Sequence, residues 1–376
     1  MNERVEQLLI GISNETLSIV ARAVLDNPSA IVDETPAFEE ITTSHYDLRT
    51  IGIVKVSGIA SIRGEQYEWS SVVKFIDPSA GDNITAVLGS ERKIYELGLF
   101  FDPDVPFRAA RFYLSNEHGN GVTTLWLEDL SHAPQPPWDL EQFLQAANHV
   151  GQFIGHNFQH DVRVPFETPS NQYSPYSEPD RHKSPAEQLM QARDSAVVQQ
   201  AWGTNSVRLM TEFADLFSRI GEVAVKLPHV LSFGDCHSRN LFPVGNETVV
   251  IDWGAVGMYP NGADVGRMIG SALTYGVAEA KTVALNERAI FDSYVNGLKT
   301  TGWNGDVDEV RIGFYCQFAG YMASIGTIPI DIESYRPRQA CIEGRFGVPL
   351  DDLPSHLAPI IALIPKYVDE LKQLLD

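Results

Sequence analysis

Gly234-Asp235-Cys236-His237-Ser238-Arg239-Asn240, followed by Val249-Val250-Ile251-Asp252-Trp253, is the stretch that decides how this chain is read. Phosphoryl transfer needs a carboxylate to orient an attacking hydroxyl. It also needs oxygen ligands that hold a divalent cation against nucleotide phosphates, because positioning and charge stabilisation supply most of the catalysis. Asp235, Asn240 and Asp252 offer that set. Leu241-Phe242-Pro243-Val244 and Thr248-Val249-Val250-Ile251 read as short strands around a Gly245-Asn246 turn. Such a hairpin carries Asn240 and Asp252 toward each other. A lone Gly-Asp turn is commonplace, but matched residue types at both spacings with a hairpin between them are not.

In kinase-like sites the base and an amide metal ligand lie five positions apart on one loop, and a second metal-binding Asp follows a short hairpin. Both spacings recur here. The segment resembles the aminoglycoside phosphotransferase and choline kinase-like family, whose motif reads His-Gly-Asp-x-His-x-x-Asn, a hydrophobic hairpin, then Ile-Asp-Trp or Ile-Asp-Phe. Phe233 stands where that family has its first His, a mainly structural position, and His237 keeps the second. The resemblance implies Asp235 as the catalytic carboxylate and Asn240 and Asp252 as ligands of Mg²⁺. Asp264 resembles the family's downstream Asp that opens a helix and braces the catalytic loop; taken alone it reads equally as a helix N-cap. His237 reads as a group that hydrogen-bonds the loop. Arg239 suits either a transferred phosphate or a local acid.

Upstream, Trp69-Ser70-Ser71-Val72-Val73-Lys74-Phe75 alternates as a strand and sets Lys74 among apolar, β-branched neighbours, suited to an ammonium that reaches α- and β-phosphates. Its partner carboxylate belongs on the following helix, for which Ser90 reads as a cap with Glu91 just inside; the resemblance favours Glu91, with Glu96 as the fallback. Ser57 to Gly64 lies between two strand-like runs, where a loop over the phosphates belongs, but lacks a Gly-x-Gly-x-x-Gly pattern. No Gly-x-x-x-x-Gly-Lys-Ser/Thr loop occurs, which disfavours a Walker-type site. Thr123 to Leu130 reads as a buried strand breaking into a polar turn, with Pro134, Pro136 and Pro137 soon after. The resemblance makes this the interlobe hinge and implies main-chain contacts from Glu128 and Leu130 to the nucleotide base.

With 376 residues, 44% of them hydrophobic and 20% charged, the chain can bury the cores of two lobes. Asp and Glu total 49 against 28 Lys and Arg, a formal charge of -21, which argues against a nucleic acid or an anionic membrane as partner and suits a cationic substrate. Cys236, Cys316 and Cys341 are too few and scattered for a disulfide framework or a Cys-x-x-Cys metal site, and point to a reducing cytoplasm. Neither a signal peptide nor a long apolar span is visible.

Apolar periodicity predicts a helix over residues 4–26, a strand-rich stretch over 45–130 and, from Trp138-Asp139-Leu140 onward, a helical stripe of Phe143, Ala146, Ala147, Val150, Phe153 and Ile154. Residues 159–187 read as a long loop or substrate-side insertion. Helices are expected over 264–276, 279–299, 309–328 and 357–375. The expected fold is α+β: a bilobal protein kinase-like fold with an antiparallel N-lobe sheet and a mostly helical C-lobe, the resemblance covering roughly residues 45–350. The nucleotide-binding lobe is expected at 1–128, with a helical extension over 1–44, and the catalytic and substrate-binding lobe at 129–376. The implied reaction moves the γ-phosphoryl group of ATP or GTP, with Mg²⁺, to a hydroxyl of a small molecule such as an aminoglycoside or amino alcohol. A macrolide-like acceptor, peptide Ser/Thr hydroxyls, a metal-dependent hydrolase and a non-catalytic nucleotide-binding scaffold are the competing readings. Phe314, Phe318, Tyr321 and Asp331 are loose candidates for acceptor contact, against a core role favoured by their helical spacing.

Overall fold

The computed structural model describes residues 3–41, 50–77, 85–98, 104–118, 121–164, 190, 193, 195–274, 277–336 and 339–376. The chain is α+β and divides into two compact units, Met1–Phe101 with Ala109–Ala133, and Asp102–Arg108 with Pro134–Asp376.

The first unit is built on a six-stranded antiparallel sheet. β1 (Ile31–Val32), β3 (Thr50–Ile62), β4 (Glu65–Ile76), β7 (Thr123–Glu128) and β6 (Phe112–Glu117) follow one another across it, and β2 (Ala37–Glu40) also pairs with β3. β3 and β4 are longer than their apolar runs suggest. Arg63 and Gly64, with φ of 53° and 90°, form the tight turn that joins them, so most of the expected phosphate-covering loop at Ser57 to Gly64 is strand. The predicted N-terminal helix is two helices, α1 (Glu3–Ile10) and α2 (Asn14–Val24). Gly11 breaks the pattern, and Ser13 starts α2 by accepting from the Thr16 N–H at 3.1 Å. Val5, Leu17 and Val20 from these helices pack with Val54, Val56, Trp69, Phe75 and Trp126 of the sheet. Each fully buried side chain of this size contributes about 1.5–3 kcal/mol. α3 runs Thr85–Leu97, so Ser90 is not its cap and Glu91 lies in the second turn rather than at the start.

The second unit is mainly helical. α4 (Leu140–Gln159) buries the expected stripe from Phe143 to Ile154. Its start is fixed by a capping box between Asp139 and Gln142, and by Trp138 against Phe143, ring centroids 5.3 Å apart. Residues 165–189, most of the expected substrate-side insertion, lie outside the described residues. α5 (Ala196–Trp202) and α6 (Thr204–Ala224) lead to β8 (His229–Ser232), the hairpin β9 (Leu241–Val244) with β10 (Glu247–Val250), and β11 (Gly257–Pro260), which pairs with β8. β5 (Phe107–Ala109) pairs with β10. Then come α7 (Ala263–Thr274), α8 (Val277–Thr300), α9 (Val307–Tyr335), α10 (Gln339–Phe346), α11 (Leu353–Ile361) and α12 (Ile364–Leu375). The single helix expected over 357–375 is thus two, with Pro365 in the first turn of the second. Phe314 and Phe318 are fully buried, stacked at 4.8 Å and, through Phe318, against Tyr367, which makes them core rather than acceptor contacts. Tyr321 packs its ring over Gly270. The side chain of Asp331 lies outside the described part.

Candidate active site

The loop that follows β8 opens on a turn only glycine can make: Gly234 has φ 79°, and a Cβ there would lie 2.1 Å from the Ala255 carbonyl oxygen. Before it, Phe233 is fully buried against Trp253, ring centroids 5.0 Å apart, so the position is part of an aromatic core. Asp264 accepts from the Phe233 N–H at 3.0 Å and the Gly234 N–H at 2.8 Å. It stands inside the first turn of α7 and braces the loop; it does not cap its helix. Burial pushes its carboxyl up to about 6, against the pull of the two N–H donors and Arg267.

Three residues further along α7, Arg267 sets its guanidinium on Asp235 Oδ1. Positions i and i+3 share a helix face, so one face of α7 holds both the backbone and the side chain of the loop. The other carboxylate oxygen, Asp235 Oδ2, accepts from Asn240 Nδ2 at 2.9 Å, and the same amide donates to the Asp235 carbonyl at 3.2 Å. His237 Nε2 stands 3.6 Å from Asp235 Oδ2, beyond a strong hydrogen bond. Burial alone would raise the Asp235 carboxyl, but Arg267, His237 and Asn240 outweigh it and hold the group well below the usual carboxylate range. Between these residues the Cys236 thiol is buried and pushed far up, by burial and then by Asp264, which leaves it inert as a nucleophile.

The β9–β10 hairpin pairs Leu241 with Val250 through Val244 with Glu247, and the Ile251 N–H donates to the Asn240 carbonyl at 3.1 Å. Asp252 follows directly in the left-handed region, φ 63° and ψ 64°, which costs a non-glycine residue about 1–2 kcal/mol and ends the strand. Asn240 and Asp252 fit a hard divalent cation. With Asn240 Nδ2 fixed on Asp235, no described residue donates to Asn240 Oδ1, which remains an oxygen ligand of the kind Mg²⁺ takes. Among the described residues no three His, Cys, Asp or Glu converge to hold a metal by themselves. A pair of ligands is completed by phosphate oxygens and water, the usual environment of Mg²⁺.

In the first unit, Lys74 lies on β4 opposite Ile53 of β3 and Leu125 of β7. Its Nζ is 2.9 Å from Glu91 Oε2, with both residues buried; the fallback, Glu96, is engaged by Arg92 at 2.6 Å. At the end of β7 the Glu128 N–H donates to the Arg111 carbonyl at 2.9 Å, and the Glu128 carboxylate accepts from the Arg111 N–H at 3.0 Å. The Leu130 carbonyl accepts from the Ala133 N–H at 3.0 Å, while no described residue takes the Leu130 N–H. Lys55 fixes the intervening turn through Asp129 at 2.9 Å. Burial would raise Asp129, but hydrogen bonds from Ser70, Ser131 and Lys55 bring it down to about 2.

No family model matches the chain, and no curated protein sequence does. Among solved structures, the amicoumacin kinase hAmiN, in complex with AMP-PNP, Ca²⁺ and Ami, aligns over 98% of this chain and 96% of its own with a TM-score of 0.52 and 13% identity. This chain has the protein-kinase-like fold. The spectinomycin phosphotransferase APH(9)-Ia, solved with ADP and spectinomycin, aligns over 95% of this chain and 99% of its own at TM-score 0.46 and 13% identity. The aminoglycoside phosphotransferase APH(3'')-Id from Streptomyces rimosus, solved with ADP and streptomycin, covers 82% of this chain and 98% of its own at TM-score 0.40 and 15% identity.

Within this kinase-like chain, the sequence reading missed Arg267, Lys55 and Glu279. Glu279, in the first turn of α8, accepts from the Ser238 hydroxyl at 3.2 Å and the Trp138 N–H at 3.1 Å. Arg267 had a faint signal in its i+3 spacing from Asp264. Lys55 and Glu279 had none, because their partners are brought to them by the fold.

Proposed function

We propose that the protein is a phosphotransferase that moves the γ-phosphoryl group of ATP or GTP to a hydroxyl of a small molecule, with an aminoglycoside-like or amino-alcohol acceptor favoured by the charge of -21. The observation that carries the reading is the Asp235 carboxylate, held ionised by Arg267 and hydrogen-bonded to Asn240 on one short loop. Asp235 orients the acceptor hydroxyl and takes its proton as the oxygen bonds to the γ-phosphorus and the bond to the β-phosphate oxygen breaks, releasing the nucleoside diphosphate. Asn240 and Asp252 hold Mg²⁺, which when bound neutralises charge on the phosphate oxygens. Lys74 holds the α- and β-phosphates and Glu91 fixes its ammonium; the main chain of Glu128 and Leu130 meets the base. In this account residues 1–128 form the nucleotide-binding lobe and 129–376 the catalytic and substrate-binding lobe, in a cytoplasmic protein.

The test is Asp252→Ala. The variant should keep its thermal midpoint and lose Mg²⁺-dependent transfer of labelled γ-phosphate by more than about a hundredfold. Full Mg²⁺-dependent turnover in a folded Asp252→Ala protein would remove the metal-ligand assignment.

A further inference from the structure

Glu279 is a carboxylate with 1% of its surface exposed, and one of its oxygens is spent on the loop that carries Asp235 and Asn240. Burying an ionisable group is costly unless its hydrogen bonds are made. Here both oxygens are engaged: Oε2 by the Ser238 hydroxyl and Oε1 by the Trp138 N–H, immediately before the Asp139 cap of α4. Ser238 is itself 2% exposed and sits midway between the two residues whose side chains must meet, Asp235 and Asn240. The turn around it is closed by the Asn240 N–H donating to the His237 carbonyl at 2.9 Å. Asp264 and Arg267 anchor the front of the loop, at residues 233–235. At the back of the loop, Ser238 is tied through its side chain to Glu279 on a neighbouring helix.

From this geometry we infer that Glu279 is a positioning residue for phosphoryl transfer: through Ser238 it sets the turn that aims Asn240 at Asp235, and it ties that turn to the start of α4. The inference rests on the phosphotransferase reading. Burial pushes the Glu279 carboxyl up, against the Trp138 N–H, Ser238, Arg239 and His237. By geometry, Glu279→Gln keeps both contacts: its amide oxygen accepts from the Trp138 N–H and its amide nitrogen donates to the Ser238 hydroxyl oxygen. Ser238→Ala removes only the loop contact and leaves the α4 contact in place.

The experiment measures phosphotransfer kinetics and backbone hydrogen exchange of residues 236–240 in the wild type, Ser238→Ala, Glu279→Gln and Glu279→Ala. A buried side-chain hydrogen bond is worth enough to shift loop order up to about tenfold. Ser238→Ala should exchange these amides about tenfold faster and lower kcat by a similar factor, with nucleotide KM within about twofold and a thermal midpoint lower by no more than a few degrees. Glu279→Gln should stay within about threefold of wild type in both readouts, and Glu279→Ala should match or exceed the Ser238→Ala defect. Wild-type exchange and wild-type kcat in Ser238→Ala would overturn the inference and leave Glu279 as an α4 anchor only. If the wild-type protein transfers no phosphate, the phosphotransferase reading fails on its own, and the exchange data still decide whether Glu279 orders the loop.

Discussion

Replacing Arg267 by Gln removes the counter-charge of Asp235 while keeping most of the side-chain volume. The two side chains are 27% and 20% exposed, so the pair is partly shielded from water. Two unit charges about 4 Å apart at an effective dielectric of about 20 attract by about 4 kcal/mol. Part of this is returned because Arg267 no longer has to be desolvated, which leaves an expected loss of about 2–3 kcal/mol of folding stability. Asp235→Asn should cost a comparable amount, because it strands the guanidinium. The double variant should cost clearly less than the sum, with a coupling of at least about 1.5 kcal/mol in urea denaturation at pH 7.5. The sign of the pH dependence follows from the depressed Asp235 carboxyl: the stabilisation is fully present above the ordinary carboxylate value near 4 and is lost as pH falls through the folded-state value. The wild-type advantage over Arg267→Gln should therefore be flat from pH 8 to about 5 and shrink below that. A coupling below about 0.5 kcal/mol, or additive losses, would refute the view that α7 positions the catalytic carboxylate through Arg267.

Asp264 titrates with the opposite sign. Its carboxyl is raised to about 6 in the fold, so its contribution falls as pH rises from about 4 to 6 and is constant above, and the wild-type stability relative to Asp264→Asn should drop by about 3 kcal/mol across that window. A pH-independent difference in denaturation midpoints would count against the buried, two-donor placement. Far from the loop, Arg311 is 3% exposed and meets Glu287 at 2.5 Å and Glu370 at 2.6 Å. Arg311→Ala should cost about 3–5 kcal/mol by leaving buried Glu287 with Lys366 as its remaining cation, and Arg311→Met less because it keeps packing under Phe291 and Phe314; equal losses by calorimetry would show that this packing contributes nothing there.

The loop from Gly234 to Asn240 and its hairpin were legible because their information is local. The turn glycine, the strand alternation on either side of Gly245, and the placement of Asn240 and Asp252 all lie within one short segment, where spacing fixes geometry. The position of Lys74 in a central strand was legible for the same reason, since β4 alternates apolar and polar residues before its buried end. Boundaries failed where a local signal had two physical outcomes. Ser90 looks like a cap, yet α3 begins at Thr85; Ser57 to Ile62 contains the small residues of a loop, yet cross-strand pairing extends β3 through it. Phe314 and Phe318 carry the same aromatic stripe whether they pack or bind, and their ring partners Phe291, Tyr315 and Tyr367 decide for packing. The anchors Arg267, Glu279 and Lys55 escaped because each partner lies tens or hundreds of residues away from at least one of the groups it holds, or has an unremarkable residue type.

The central claim is that Asp235 serves phosphoryl transfer to a hydroxyl, and the most direct measurement is Mg²⁺-dependent transfer of labelled γ-phosphate from ATP and GTP. The acceptors are aminoglycosides, amino alcohols, macrolides and Ser/Thr peptides, with wild type and Asp235→Asn side by side. The wild type should transfer phosphate to a small-molecule acceptor, and Asp235→Asn should lose about a hundredfold or more with nucleotide still bound. Equal transfer by both proteins, or nucleotide binding by the wild type with no transfer to any acceptor, would contradict that claim.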